Sequence, residues 1–183
     1  MGLLTVAALG SLGARADVTF ERLLHAPSEP QNWLTYSGGY ASQRHSALRE
    51  IKPSNAASLE LKWVFQAQSL ENFETTPLVV DGVMYLTEAP NTAVALDAAT
   101  GRIFWRYQHN PAAGARPCCG RVNRGLAILG ERLYMATLDD DLIALDATTG
   151  QPVWQKQIAD PAVGYAMTLA PLVVKNKVIV GVA

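Results

Sequence analysis

From Trp63 onward the chain is a succession of short apolar runs, each broken after a few residues by glycine, asparagine or aspartate. Pro77-Leu-Val-Val-Asp-Gly-Val-Met-Tyr-Leu-Thr87 sets two apolar segments about an Asp-Gly pair, which predicts an antiparallel hairpin with a tight turn. Leu126-Ala-Ile-Leu-Gly-Glu-Arg-Leu-Tyr-Met-Ala136 repeats the plan with Gly130-Glu131 at the turn, and Pro171 to Gly181 begins a third copy. Behind the first two hairpins lies a longer repeat. Ala95-Leu-Asp-Ala-Ala-Thr-Gly-Arg-Ile-Phe-Trp105 recurs 49 positions later as Ala144-Leu-Asp-Ala-Thr-Thr-Gly-Gln-Pro-Val-Trp154. Each copy predicts a strand ending in Leu-Asp, a turn through Thr-Gly and a strand ending on tryptophan, with Asp97 and Asp146 accepting from nearby backbone N–H groups.

Hairpin plus repeat makes four strands in about 45–50 residues, the size of a β-propeller blade. The fold class is therefore all-β, a β-propeller, with about two complete four-stranded blades and the start of a third in residues 63–183. A propeller needs at least about four blades to close its ring. The expectation is thus a partial propeller, a fragment of a larger ring. Trp105 and Trp154 are assigned to docking one blade on the next, and Trp63 to ending an earlier strand in the same role.

Before Trp63 the pattern changes. Residues 17–62 read as an N-terminal segment with short helices at Phe20 to Leu24 and at Ser54 to Leu61, the latter capped by Ser54, around a polar, aromatic stretch from Asn32 to Ser46. Residues 1–16 read as a truncated signal peptide. Leu3 to Gly10 is a short apolar stretch and Ala14-Arg-Ala16 has the small-x-small form of a cleavage site, although the preceding basic segment is missing. Export to the periplasm is the expectation that follows.

Composition narrows the function classes. With 49% hydrophobic and 17% charged residues over 183 positions, the chain can build a globular core. A net charge of -1 gives no basic footprint for nucleic acid, and no apolar run is long enough to predict a transmembrane helix. Asp139-Asp140-Asp141 joins two predicted strands without the spaced oxygens and glycine of a calcium loop, so it reads as a turn. His25, His45 and His109 are scattered. There is no Cys-x-x-Cys-His haem site and no phosphate-cradling glycine loop, which argues against a nicotinamide-type dehydrogenase.

The two cysteines are adjacent, Cys118-Cys119. Neighbouring Cα atoms lie about 3.8 Å apart, or roughly 2.9 Å across a cis peptide, below the roughly 4.4–6.8 Å that a relaxed disulfide prefers. The pair is either a strained ring or two free thiols, and both readings stand at this point. Disulfides persist in exported proteins, so export and a bonded pair support each other.

The segments Asn32-Trp33 with Tyr36, Gln43-Arg44 with Ser46, Leu59 with Trp63, Glu74-Thr-Thr-Pro77, Cys118-Cys119 with Asn123-Arg124-Gly125, and Thr168-Leu-Ala-Pro171 occur in one order. In that order the chain resembles the N-terminal third of the pyrroloquinoline quinone (PQQ)-dependent alcohol dehydrogenases. The resemblance implies an eight-bladed propeller with PQQ near its axis and a vicinal disulfide, Cys118 to Cys119, covering one face of the cofactor. It implies further PQQ contacts at Glu74, Arg124, Thr168 and Ala183. A guanidinium fork suits a tricarboxylate, and a glutamate beside such a triacid has to accept an N–H or share a proton.

The same resemblance implies oxidation of an alcohol to an aldehyde by hydride transfer to PQQ. Electrons would then pass to a cytochrome c or a membrane quinone, and a haem in a C-terminal domain is left open. Calcium, or a lanthanide, would polarise the reactive carbonyl, with its ligands and the catalytic residues beyond Ala183, so this chain alone is expected to be inactive. Two other readings are weighed: a non-enzymatic propeller scaffold of outer-membrane assembly, which has no need of Cys118, Cys119 or Arg124, and a quinoprotein sugar or polyol dehydrogenase.

Overall fold

A computed structural model describes residues 17–112, 115, 117 and 120–183. The expected signal segment, Arg116 and both cysteines lie outside the described residues. The first four-stranded antiparallel sheet runs in sequence order through β1 (Leu78–Val80), β2 (Val83–Glu88), β3 (Thr92–Asp97) and β4 (Ile103–Gln108). The second has the same order: β5 (Ala127–Leu129), β6 (Arg132–Ala136), β7 (Asp141–Asp146) and β8 (Pro152–Gln157). A third hairpin pairs β9 (Leu172–Val174) with β10 (Lys177–Ile179).

The hairpin turns form where the residues permit them. At the β1–β2 turn Asp81 and Gly82 both take positive φ, 50° and 82°, a conformation that Asp and Gly tolerate better than bulky residues. Asp97 accepts from the N–H groups of Ala99 and Thr100, at 2.9 Å each, and Asp146 does the same for Thr148 and Thr149. These bonds close the Thr-Gly turns that lead into β4 and β8.

The blades stack through a shared apolar layer. Leu78, Val80, Tyr85, Ala93 and Ala95 of the first blade are buried with Ile128, Leu133, Ile143 and Leu145 of the second. Each large side chain buried in this way stabilises the fold by about 1.5–3 kcal/mol relative to exposure. Trp105 lies against Gly150 so closely that a Cβ there would meet its ring at 2.5 Å, and its indole N–H donates to the Ala147 carbonyl. Trp63 lies against Gly101 in the same way, at 2.6 Å. Tyr85 packs on Trp105 and Tyr134 on Trp154, both at 6.0 Å between centroids, while Trp154 stays more than a third exposed.

Three local expectations need correction. The strands carrying the repeated tryptophans run three residues past them, to Gln108 and Gln157, because the cross-strand ladder with β3 and β7 continues to Thr92 and Asp141. Trp63 is in no strand; its role follows from where its ring sits. The second expected helix shrinks to a single 3-10 turn, Ala56–Ser58, with no buried residue. Residues 54–61 all stay exposed, and tertiary packing is what holds most short helices. The first helix, α1 (Phe20–Leu24), does form, with the Thr19 side chain accepting from Arg22 N–H.

The N-terminal segment is pinned to the blades. Val18 bridges to Gly130 and Trp33 to Val79. Arg22 donates to Glu29 and to Asp81 at the β1–β2 turn, with Nη2 at 2.8 and 2.6 Å, and Asn32 ties the same two acids together.

Candidate functional site

Glu74 and Arg124 are 50 positions apart in sequence, and backbone pairing brings their segments side by side. Thr76 N–H donates to the Arg124 carbonyl at 3.1 Å, and Thr76 and Gly125 form a parallel bridge. The Thr75 hydroxyl accepts from Thr87 N–H and from the Thr87 hydroxyl, which anchors the strand entry on the end of β2. Buried Asn123 holds the other side: its amide donates to the Ala136 carbonyl and its Oδ1 accepts from Gly125 N–H. Gly125 is required here, since at φ 131° a Cβ would lie 2.9 Å from the Thr76 carbonyl oxygen.

This frame fixes the polar groups. Arg124 Nη2 lies 3.0 Å from Glu74 Oε2, and Arg124 Nη1 donates to the Thr168 hydroxyl at 2.7 Å. Arg124 backbone N–H also bonds the Thr168 carbonyl. The guanidinium is 36% exposed and Glu74 is 39% exposed, and ion pairs that open to water stabilise a fold by about 0–1 kcal/mol. The trio therefore adds little to stability and presents a cation, a hydroxyl and a carboxylate to the outside. Of the other residues expected to contact PQQ, Ala183 is paired by two backbone hydrogen bonds to Ala166, two residues before Thr168. Cys118 and Cys119 lie outside the described residues.

Two residues join the site that the sequence reading gave no role. The guanidinium of Arg44 lies 4.9 Å from the ring centre of Tyr36. A hydrogen bond from Arg44 draws the Tyr36 phenol below its ordinary pKa; burial opposes this, and Thr76 and the charges of Arg44 and Arg124 support it. Tyr36, Tyr40, Arg124, Leu169 and Pro171 line a groove of about 330 Å³. Tyr36 and Arg44 both stand in segments that carry the family resemblance, and that was the signal available for them.

Glu88 is buried and forms an ion pair with Arg106 while accepting from Gln68 N–H at 2.8 Å. Exposed Arg121 lies 3.6 Å from Glu71. Asp139, Asp140 and the start of β7 form the turn expected of them. His109, scattered in the sequence, is brought to within 3.0 Å of Asp139 and 3.9 Å of Asp141.

A cofactor with several carboxylates fits the donors present. Arg124 and Thr168 supply N–H and O–H groups, and Glu74 can accept an N–H or share a proton.

Repeated four-stranded blades stacked through tryptophan and glycine make this a β-propeller protein. The family described as "PQQ: Glucose/ethanol/alcohol dehydrogenase, beta-propeller domain" matches residues 33–183, and the chain belongs to that family. It is 45% identical over 151 residues to quinohemoprotein alcohol dehydrogenase ADH IIB of Pseudomonas putida, covering 81% of this chain and 22% of that protein. Among solved structures, a europium-containing methanol dehydrogenase superposes with a TM-score of 0.83 at 39% identity, over 89% of this chain and 29% of the other. BamB from Moraxella catarrhalis, at 20% identity and a TM-score of 0.51 over 66% of this chain and 33% of the other, shares the fold alone. The chain thus spans about a quarter of the length of the relatives it matches.

Proposed function

We propose that this chain is the N-terminal part of a periplasmic PQQ-dependent alcohol dehydrogenase that oxidises alcohols to aldehydes and passes electrons to a cytochrome or a quinone. The observation that carries the reading is the convergence of Glu74, Arg124 and Thr168, from three distant segments, into one exposed polar cluster. Arg124 would hold a carboxylate of the cofactor with its guanidinium fork, Thr168 would donate a hydroxyl to its rim, and Glu74 would accept an N–H or share a proton. Cys118 and Cys119, bonded to each other, would cover one face of the ring. When bound, PQQ supplies the two-electron acceptor that takes up hydride as the alcohol loses its hydroxyl proton. A calcium or lanthanide ion would serve as Lewis acid, held by residues that the resemblance places outside this chain.

The test uses the intact gene product, expressed in a periplasm and reconstituted with PQQ and either calcium or a lanthanide. Dye-linked alcohol oxidation is expected in the wild type. Arg124→Ala should raise the PQQ concentration for half-saturation at least about tenfold, the loss of roughly one charge-assisted hydrogen bond. A well-folded wild type that neither takes up PQQ nor oxidises alcohols would overturn the reading.

A further inference from the structure

Residues 35–40 form a turn held between the first blade and the third hairpin. Before it, Trp33 pairs with Val79 of β1 through backbone bonds of 2.8 and 3.0 Å. After it, the Tyr40 hydroxyl donates to the Val173 carbonyl of β9 at 2.5 Å. Gly38 closes the turn at φ 80°, its N–H donating to the Thr35 carbonyl at 3.0 Å. The Trp33 ring lies 2.8 Å from where a Cβ on Gly38 would stand. Tyr36 is fixed by this turn, and it lines the same groove as Arg124.

The chain then turns back over the tyrosine. Ser42 and Arg44 take φ of 54° and 51°, a region that residues other than glycine seldom occupy. Arg44 N–H donates to the Ser37 carbonyl at 3.2 Å, and the Arg44 guanidinium lies 4.9 Å from the Tyr36 ring centre. A guanidinium only donates, so the phenol oxygen is the acceptor in its bond with Arg44. The phenol proton is thereby turned to another acceptor. Within the chain that partner is the Thr76 hydroxyl; an ionised carboxylate is a stronger one. Thr76 also donates its N–H to the Arg124 carbonyl, so phenol and guanidinium are held in register by one backbone pair.

Charge points to the same class of ligand. Among the described residues that line the groove, Arg124 is the only cation, and Glu74, 3.0 Å away, balances it. A ligand with several carboxylates needs more positive charge than this pair supplies. Arg44 forms no ion pair among the described residues, and its charge reaches the groove through the phenol it contacts.

We infer that Tyr36 is a further cofactor-binding residue, its hydroxyl donating to a carboxylate of PQQ beside Arg124 while Arg44 polarises it. The inference rests on the quinoprotein reading. Arg44 is the positioning residue of the two, since it acts through the phenol.

The test uses the intact gene product as wild type, Tyr36→Phe, Arg44→Gln and the double variant. Phenylalanine keeps a ring beneath Arg44 and removes only the hydroxyl. Two quantities are read: the PQQ concentration for half-saturation, from quenching of the protein's fluorescence with calcium or a lanthanide present, and the Tm of the PQQ-free protein. Tyr36→Phe should raise the half-saturation concentration about tenfold, the loss of one charge-assisted hydrogen bond, and move the Tm by less than about 2 °C. Arg44→Gln alone should raise it about threefold, and should add little in the Tyr36→Phe background, because residues that act through one group are not additive. Unchanged PQQ binding in Tyr36→Phe would overturn the inference. So would weaker binding accompanied by a clear fall in Tm, since the hydroxyl would then be a strut of the fold, or additive losses in the double variant. A wild type that takes up no PQQ would instead overturn the functional reading on which the inference stands.

Discussion

Gly125 and Asp140 show how much single residues decide. At Gly125 both the positive φ and the Thr76 carbonyl exclude a side chain. Gly125→Ala should therefore destabilise the protein by about 1–3 kcal/mol and loosen Arg124, seen as a lower Tm and weaker PQQ uptake together; a neutral effect on both would count against the frame described. Asp140 is fully buried, and neither carboxylate oxygen has a hydrogen-bond partner among the described residues. Burial first, then the charges of Asp139, Asp141 and Asp160, push its carboxyl above the ordinary 3.8. A raised carboxyl pKa means that the folded state is penalised once the group ionises, so the penalty is absent in strong acid and grows as pH rises through that value. Asp140→Asn keeps a residue type that accepts φ 63° and removes the charge. It should stabilise the protein by about 1 kcal/mol at pH 7 and leave it unchanged near the acid limit, as denaturant titrations at the two pH values would show.

At the scale of elements, the blade is a hairpin joined to a tryptophan-bearing hairpin, and the contact between blades is tryptophan on glycine. Because the Trp105 ring occupies the space a Cβ would need at Gly150, Gly150→Ala should cost about 2–3 kcal/mol through displaced packing and a strained turn. Gly82→Ala is the control. Its φ is 82°, but nothing lies within 4 Å of the added Cβ, so it should cost only the backbone strain, about 1 kcal/mol. Equal losses in thermal unfolding would argue that the turns, rather than the docking, set the stability. The turn residues were legible in the sequence because they are local, and the repeat length and tryptophan spacing because one pattern recurs 49 positions later. The extent of β4 and β8 was less so, since it depends on how far the neighbouring strand continues.

For the whole molecule, the N-terminal segment works as a strap. Arg22, 15% exposed, links α1 through Glu29 and Asp81 to the first blade. Arg22→Ala should lower stability by about 1–2 kcal/mol at pH 7, the low end of a broken ion pair because Asp81 is a third exposed. The bond from Arg22 is the first cause that holds the Glu29 carboxyl below its ordinary 4.5, with burial opposing it. A lowered carboxyl pKa contributes stability that is present above the ordinary value and is lost as pH falls through the lowered one. The difference between wild type and Arg22→Ala should thus shrink on acidification; a constant gap from pH 7 to strong acid would remove Glu29 from the account.

What the sequence by itself determined is the repeating part of this protein: hairpin turns and the aspartates that close them, set by residues a few positions apart, and blade length and the tryptophans between blades, set by a pattern that recurs 49 positions later. It also marked Glu74, Arg124 and Thr168, through segments that resemble a family. Only the tertiary structure decided that these three touch, that Tyr36 and Arg44 stand beside them, and that His109 meets Asp139. Such meetings follow from the stacking of one blade on the next. A polar residue in a loop carries no periodicity to announce its partner, and the partner is chosen by where the packed apolar strands leave the loop.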